Sequence, residues 1–258
     1  MDNDTRQQKI LSILANTYPN ATIALSYQSP WELLVAVILS AQCTDIMVNK
    51  VTKTLFAKYP TFASYLNADL KEFEKDIKST GFYHHKAKNI LGAATIVHSQ
   101  FHDVVPKTMS DILTLPGVAR KTANVVLGNA YGVVEGIAVD THVIRLSQRL
   151  RLVPLEKIGG KHTYYMRAVS ETFCHSGPRA GILKMPDQVR HDNRDMVDYI
   201  KDASPIKIES ELMKVIPKSQ WFSLTYQLID HGRAVCKAQK PNCAVCPLSL
   251  LCPASRIT

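Results

Sequence analysis

No stretch of the sequence stays apolar for long enough to cross a bilayer. The longest near-apolar run, Leu33 to Ala41, is about half the length a membrane helix needs. The first residues, MDNDTRQQK, hold no apolar core of the kind a secretory leader carries, which argues against export. Glycine (11) and proline (13) are too scarce for a fibrous or low-complexity chain. No segment alternates apolar and polar residues between hairpin turns, so a large sheet is not expected. Internal repeats are lacking too. Acidic side chains are in deficit: 22 against 31 basic ones, a formal charge of +9. Such a surplus either serves solubility or marks a polyanionic partner, nucleic acid being the commonest.

What is present is an ordinary globular composition, 46% apolar and 21% charged over 258 residues, enough for one large domain or two modest ones. The apolar residues recur at helical spacing. Ser29-Pro30-Trp31-Glu32 supplies a cap, a first-turn proline and a glutamate three after the cap, ahead of the dense run Leu33 to Leu39. Helices are predicted over 45–58, 67–79, 85–101, 143–150, 206–216 and 221–231. Thr108-Met109-Ser110-Asp111 repeats the capping pattern. The irregular stretch from about 154 to 205 reads as an elaborated insertion, with helix expected near 162–174 and 192–201.

Residues 110–131 read as helix, turn, helix. Pro116-Gly117 breaks the first helix, and a second apolar-periodic helix begins near Arg120. This helix-hairpin-helix pattern ends in a free helix N-terminus. Gly117 lets the backbone approach a phosphate, and the first N–H groups of the second helix have no intrahelical partner. Arg120 adds positive charge. Such contacts hold a duplex without reading its sequence. A plain helical corner could carry the same Leu-Pro-Gly. Lys121 follows Arg120, at the positive end of the helix dipole, and is placed to react as a neutral amine that forms a Schiff base with a sugar carbon. In isolation it also fits a phosphate-binding cation.

Asp140 lies nineteen residues on, where the cap of the next helix belongs. A carboxylate there can cap the helix. It can also stabilise a cationic sugar as a base departs. His142 fits a structural or phosphate-side role better than a catalytic one. The C-terminal pattern Cys236-x6-Cys243-x2-Cys246-x5-Cys252 gathers four thiols around one prospective metal centre, and both zinc and an iron–sulfur cluster accept such a set. Lys237 and Lys240 in its first loop are candidate phosphate contacts. Cys43 and Cys174 stand alone and read as ordinary thiols.

Together, Leu115-Pro-Gly-Val-Ala-Arg-Lys121-Thr-Ala, Val139-Asp140-Thr-His and the cysteine set closely resemble the endonuclease III family of bifunctional DNA glycosylases/AP lyases. Leu39-Ser-Ala-Gln42-Cys43-Thr-Asp45 and Gly81-Phe82-Tyr83-His84-His85-Lys86-Ala87 add to the likeness, which covers about 5–153 and 206–254. The resemblance implies an all-α, two-domain helix-hairpin-helix DNA glycosylase fold with a cleft between the domains. One domain would be a six-helix bundle (22–133, with the hairpin at about 110–131). The other would be an iron–sulfur domain (1–21 and 134–258) with an unusual insertion at about 157–203.

By the same resemblance, Lys121 is the Schiff-base nucleophile and Asp140 the essential carboxylate. Gln42 fills the space left by an extruded nucleotide, and Phe82, where the family often has leucine, wedges into the stack. Gly117, Ala119, Arg120, His142, Lys237 and Lys240 are the further expected DNA contacts. Cys236, Cys243, Cys246 and Cys252 would hold a [4Fe-4S] cluster, with no nucleotide cofactor. The implied partner is duplex DNA with damaged bases or abasic sites. A cytoplasmic monomer is expected, nucleoid-associated if bacterial, with no membrane partner.

Ala119 departs from the family, which usually has a second hairpin glycine there, and so do His84 and His85, which replace small polar residues. The rival readings are a monofunctional mismatch glycosylase of the same superfamily, which lacks the lysine, and a non-catalytic DNA-binding module, which needs no paired Lys121 and Asp140.

Overall fold

In the computed structural model of the chain, residues 2–166 and 196–255 are described. Helix dominates, as the periodicity predicts: α1 (Asn3–Thr17), α2 (Pro30–Leu39), α3 (Asp45–Lys58), α4 (Phe62–Leu66), α5 (Leu70–Asp76), α6 (Tyr83–Phe101), α7 (Met109–Ile112), α8 (Arg120–Tyr131), α9 (Thr141–Arg149), α10 (Pro205–Val215) and α11 (Trp221–Ala234). Among the described residues no helix is long and apolar enough to cross a membrane. The chain divides into two compact units. A bundle unit comprises Asn20–Asp140 and Ile216–Tyr226, and a cysteine unit comprises Met1–Pro19, Thr141–Val215 and Gln227–Thr258.

The bundle unit is built around α2. Ser29 accepts from the Glu32 amide and Pro30 opens the helix, as the capping pattern predicts. Every residue of α2 from Leu33 to Leu39 is buried. A helix apolar on all faces belongs in the middle of a core. Its fully buried leucines 33, 34 and 39 each contribute about 1.5–3 kcal/mol by leaving water. Against α2 packs α8, which buries Ala123 through Gly128. The short α4 is absent from the sequence expectations because five residues have little helical propensity of their own. It forms because Thr61 and Ser64 make a capping box, while Phe62 and Tyr65 pack on Trp31 at 4.7 and 5.2 Å.

The bundle unit runs through Asp140 and takes in a second segment, Ile216–Tyr226. Asn124 of α8 donates to Ile137 O at 3.4 Å, and Thr225 donates to Ala138 O at 3.2 Å. Gly128 leaves the room in which the Phe222 ring sits: a Cβ there would meet it at 2.7 Å. These contacts seat 136–140 and the start of α11 on the bundle unit.

In the cysteine unit the two chain ends are tied together by Arg6. Its guanidinium donates to Leu150 O (2.7 Å), Arg151 O (3.0 Å) and Leu251 O (3.3 Å), so α1 is fastened to the end of α9 and to the last loop. The first two carbonyls lie at a helix C-terminus, where acceptors lack intrahelical donors and a cation is favoured.

The helix expected near 192–201 is a strand over its described part, Met196–Lys201, and 192–195 lie outside the described residues. β1 (Lys161–Met166) and β2 (Met196–Lys201) form an antiparallel pair with Lys161 opposite Lys201. The expected helix at 162–174 is likewise a strand up to 166, and the rest of it, with Cys174, lies outside the described residues. The cause is tertiary. The buried Gln148 amide of α9 accepts from Ile200 N (2.7 Å) and donates to Ile200 O (3.3 Å), covering the outer edge of β2 as another strand would.

Arg6→Ala removes a charged donor from three carbonyls and is expected to cost about 1.5–3 kcal/mol. Chemical denaturation checks this, and an unshifted midpoint would refute the anchoring role.

Candidate functional site

The hairpin begins with Thr108, whose side chain accepts from the Asp111 amide at the start of α7. Ile112, Leu115 and Val118 are buried and pin the turn to the core. Gly117 sits at φ +78, and a Cβ there would lie 2.8 and 2.9 Å from Asn89 Nδ2 and Cβ. The position therefore excludes a side chain by backbone angle and by space. Ala119 is at φ −97 and ψ 170, an extended geometry that carries its methyl without strain. As the N-cap of α8 it makes no side-chain hydrogen bond to the first turn. The side chain of the cap residue therefore supplies no acceptor to the first-turn amides.

Lys121 is exposed and Arg120 half-buried, in the first turn of α8. Asn124, three residues after Lys121 and so on the same side of the helix, holds Ile137 O. Three residues beyond Ile137 is Asp140, half-buried and immediately before α9. Lys121 and Asp140 thus both belong to the bundle unit, joined through α8. His142 lies across the boundary, in the cysteine unit. Its Nδ1 is 3.1 Å from Arg145 Nη2, and its ring fills the space a Gly232 side chain would take.

Two exposed loops of the bundle unit carry Gln42 and Phe82. Both are left-handed, at φ +54 and +49, and Phe82 is 62% exposed. Gly81 precedes Phe82 at φ +69 and ψ 157, a conformation essentially reserved for glycine. His84 is pinned by Glu74 at 2.8 Å, while His85 is exposed.

Cys236, Cys243, Cys246 and Cys252 line one cavity in the cysteine unit. None is in a disulfide. Cys236 Sγ accepts from Arg149 Nη1 at 3.2 Å. Cys246 and Cys252 accept from the amides of Leu248 and Ala254. Burial pushes the Cys252 thiol up to about 12 and raises Cys246 as well. These thiols ionise readily only when a cation shares the cavity.

His231, almost wholly buried, has its Nε2 3.6 Å from Cys246 Sγ and its Nδ1 3.0 Å from Tyr18 Oη. Burial pushes its pKa down to about 4, so near neutral pH the ring is uncharged. If Tyr18 donates to Nδ1, the Nε2–H faces the sulfur. Lys237 and Lys240 are exposed on the loop between the first two cysteines.

Residue-by-residue reading of the sequence missed Arg145, Arg149, His231 and Tyr18. Arg149 also donates to Lys237 O (2.9 Å) and Ala238 O (2.7 Å), and Arg145 to Cys236 O (3.1 Å). Together they staple the loop that bears both lysines. Two arginines four apart on one short helix were the available signal, since they share a face.

A family model described as HhH-GPD superfamily base excision DNA repair protein matches residues 35–163. Endonuclease III of Synechocystis sp. is 44% identical over 251 residues, covering 97% of this chain and 93% of that protein. Endonuclease III of Bacillus subtilis (strain 168) is 39% identical over 242 residues, covering 94% and 89%. The solved structure of a trapped endonuclease III–DNA covalent intermediate superposes with a TM-score of 0.77 at 37% identity, covering 98% of this chain and 97% of that one.

The hairpin should tolerate change unequally at its two small residues. Gly117→Ala forces a side chain into a left-handed position against Asn89 Cβ, which no rotamer relieves, and should cost about 1–3 kcal/mol. Ala119→Gly should shift stability by only a few tenths of a kcal/mol, glycine being the better N-cap. Thermal unfolding and duplex affinity at fixed salt check both; equal effects at the two positions would contradict the geometry.

Proposed function

The chain belongs to the HhH-GPD superfamily of base excision DNA repair proteins, and within it to the endonuclease III family. From that premise we propose that it is a bifunctional DNA glycosylase and AP lyase acting on duplex DNA, with oxidised pyrimidines as its substrates. The observation that carries this reading is the arrangement on α8: an exposed Lys121 at an open helix N-terminus, on the helix whose Asn124 holds the segment that ends in Asp140.

The steps follow from those groups. Phosphate oxygens of the duplex accept from the amides around Gly117 and the first turn of α8, assisted by Arg120. The damaged nucleotide is extruded, its weakened pairing lowering the cost. Gln42 and Phe82 occupy the gap. Lys121 Nζ attacks C1′ of the sugar, and the bond between C1′ and the base nitrogen breaks with its electron pair leaving on the base. The Asp140 carboxylate stabilises the positive charge on the sugar. Loss of a proton from nitrogen and opening of the ring give the Schiff base. The iminium acidifies the C2′ proton; its removal expels the 3′ phosphate, and the strand is cut 3′ to the lesion.

The endonuclease III family carries a [4Fe-4S] cluster, and the residues present fit one here. Four unpaired thiols line a common cavity and two accept main-chain amides. Four cysteine thiolates also suit zinc. When bound, the cluster would cross-link Cys236, Cys243, Cys246 and Cys252 and fix the loop that displays Lys237 and Lys240.

Wild-type protein should cleave abasic duplex DNA in EDTA, and borohydride should trap a covalent adduct. Lys121→Ala should abolish the adduct; an undiminished adduct would refute the nucleophile. Asp140→Asn should slow base release by roughly 10²–10³-fold, the loss typical of a single preorganised electrostatic group. Freshly purified protein should show broad brown visible absorption. A colourless protein carrying zinc, which lacks such transitions, would overturn the cluster.

A further inference from the structure

Lys86, in the first turn of α6, is 4% exposed. A lysine buried to this degree is normally paired with a carboxylate. Lys86 Nζ instead donates to two main-chain carbonyls, Leu39 O and Thr80 O, each at 2.8 Å. Its own amide donates to Phe82 O at 3.1 Å. Burial lowers its pKa, and the neighbouring Cys43 thiol opposes that shift.

The two carbonyls are far apart in sequence but similar in position. Leu39 is the last residue of α2, where a carbonyl has no intrahelical donor and a cation is favoured. The loop Ser40-Ala41-Gln42-Cys43 follows it. Thr80 comes just before Gly81 and Phe82. One ammonium therefore joins the roots of the two loops that carry exposed, left-handed residues at 42 and 82. Non-glycine residues hold such angles only where the surroundings over-determine them. At Phe82 the determinants are on view: Lys86 grips its carbonyl through the amide and the preceding carbonyl but one through Nζ.

We propose that Lys86 is a positioning residue for base extrusion, its ammonium setting the spacing of the 40–43 and 80–82 loops so that Gln42 and Phe82 enter the duplex together. This rests on the reading above that both side chains face the DNA. A gap left by one nucleotide admits two side chains only in a fixed relation, and a displacement of about 1 Å can cost two orders of magnitude in rate.

The test compares Lys86→Met with wild type on two substrates. A duplex holding a paired oxidised pyrimidine requires extrusion, whereas single-stranded DNA with a preformed abasic site does not. Base release from the duplex should fall about tenfold or more, while borohydride trapping on the single strand should change by less than about twofold. In a Gln42→Ala/Phe82→Ala background the duplex effect of Lys86→Met should vanish, because the side chains it positions are gone. An equal fold-loss in both backgrounds would show a lysine that only stabilises the fold and would overturn the proposal.

If Lys86→Met does not fold, Lys86→Arg keeps charge and donors. It should give a smaller duplex loss that also vanishes in the double-alanine background, and persistence there overturns the proposal equally. Full duplex activity of Gln42→Ala/Phe82→Ala alone would instead refute the DNA-facing reading, and the proposal with it.

Discussion

Asn124 sits on the buried face of α8 and donates to Ile137 O. That bond ties the segment ending in Asp140 to the helix that carries Lys121. A helix turns 100° per residue, so one element can serve several directions. The inner face of α8, Ala123 to Gly128, is spent on α2. Its N-cap is an alanine, whose side chain makes no cap hydrogen bond. Its last turn accommodates Phe222 at Gly128 and donates from Asn129 to Tyr226 Oη at 2.6 Å. Lys121, the first-turn amides and the holder of the Asp140 segment are thereby carried on one helix anchored by its buried residues. A rigid scaffold is what a reaction depending on oriented groups requires.

A second regularity runs through both units. Arg6, Arg145, Arg149 and Lys86 all donate to main-chain carbonyls at helix ends or in loops. A hydrogen bond from a charged donor contributes about 1.5–3 kcal/mol, and the carbonyl end of a helix welcomes a cation. The chain's excess of basic residues therefore has two populations. Some, such as Lys121, Lys237 and Lys240, are exposed and add to the field that draws a polyanion. Others are consumed as staples and contribute little to that field. Net charge alone does not distinguish them; burial does.

Much of this was legible in the sequence because the signals were local. Ser29 and Thr108 announce their helices, Pro116-Gly117 announces the hairpin turn, and the spacing of four cysteines announces a common cavity. Each depends on residues within a turn or two. The rest depends on partners remote in sequence. The α4 helix is held by Trp31 and the β1–β2 pair by Gln148, so neither has a periodicity strong enough to announce it. In β2 the buried residues Val197 and Ile200 are three apart, a helical interval rather than a strand's. The ties that hold Ile137 and Ala138 are likewise remote: they come from Asn124 and from Thr225, far along the chain. His231 and the two arginines of α9 appear only once the cavity has closed around them.

The departures from the family pattern can be weighed by where strain resides. At Ala119 the backbone is extended, so the methyl adds no torsional cost and also denies the first turn an internal acceptor; a serine or aspartate there would satisfy an amide that the reading above leaves for a phosphate. At position 82 the backbone is left-handed, so any residue with a Cβ carries strain there, and exchanging leucine for phenylalanine alters what is presented rather than what it costs to present it. A phenyl ring presents a flat face at this exposed position, preceded by Gly81, whose torsions are essentially reserved for glycine. The hairpin thus trades a glycine for an alanine where the chain is relaxed, and keeps glycine at 81 and 117, where φ is positive and, at 117, space is closed as well. At both glycines the backbone angle sets which residue fits.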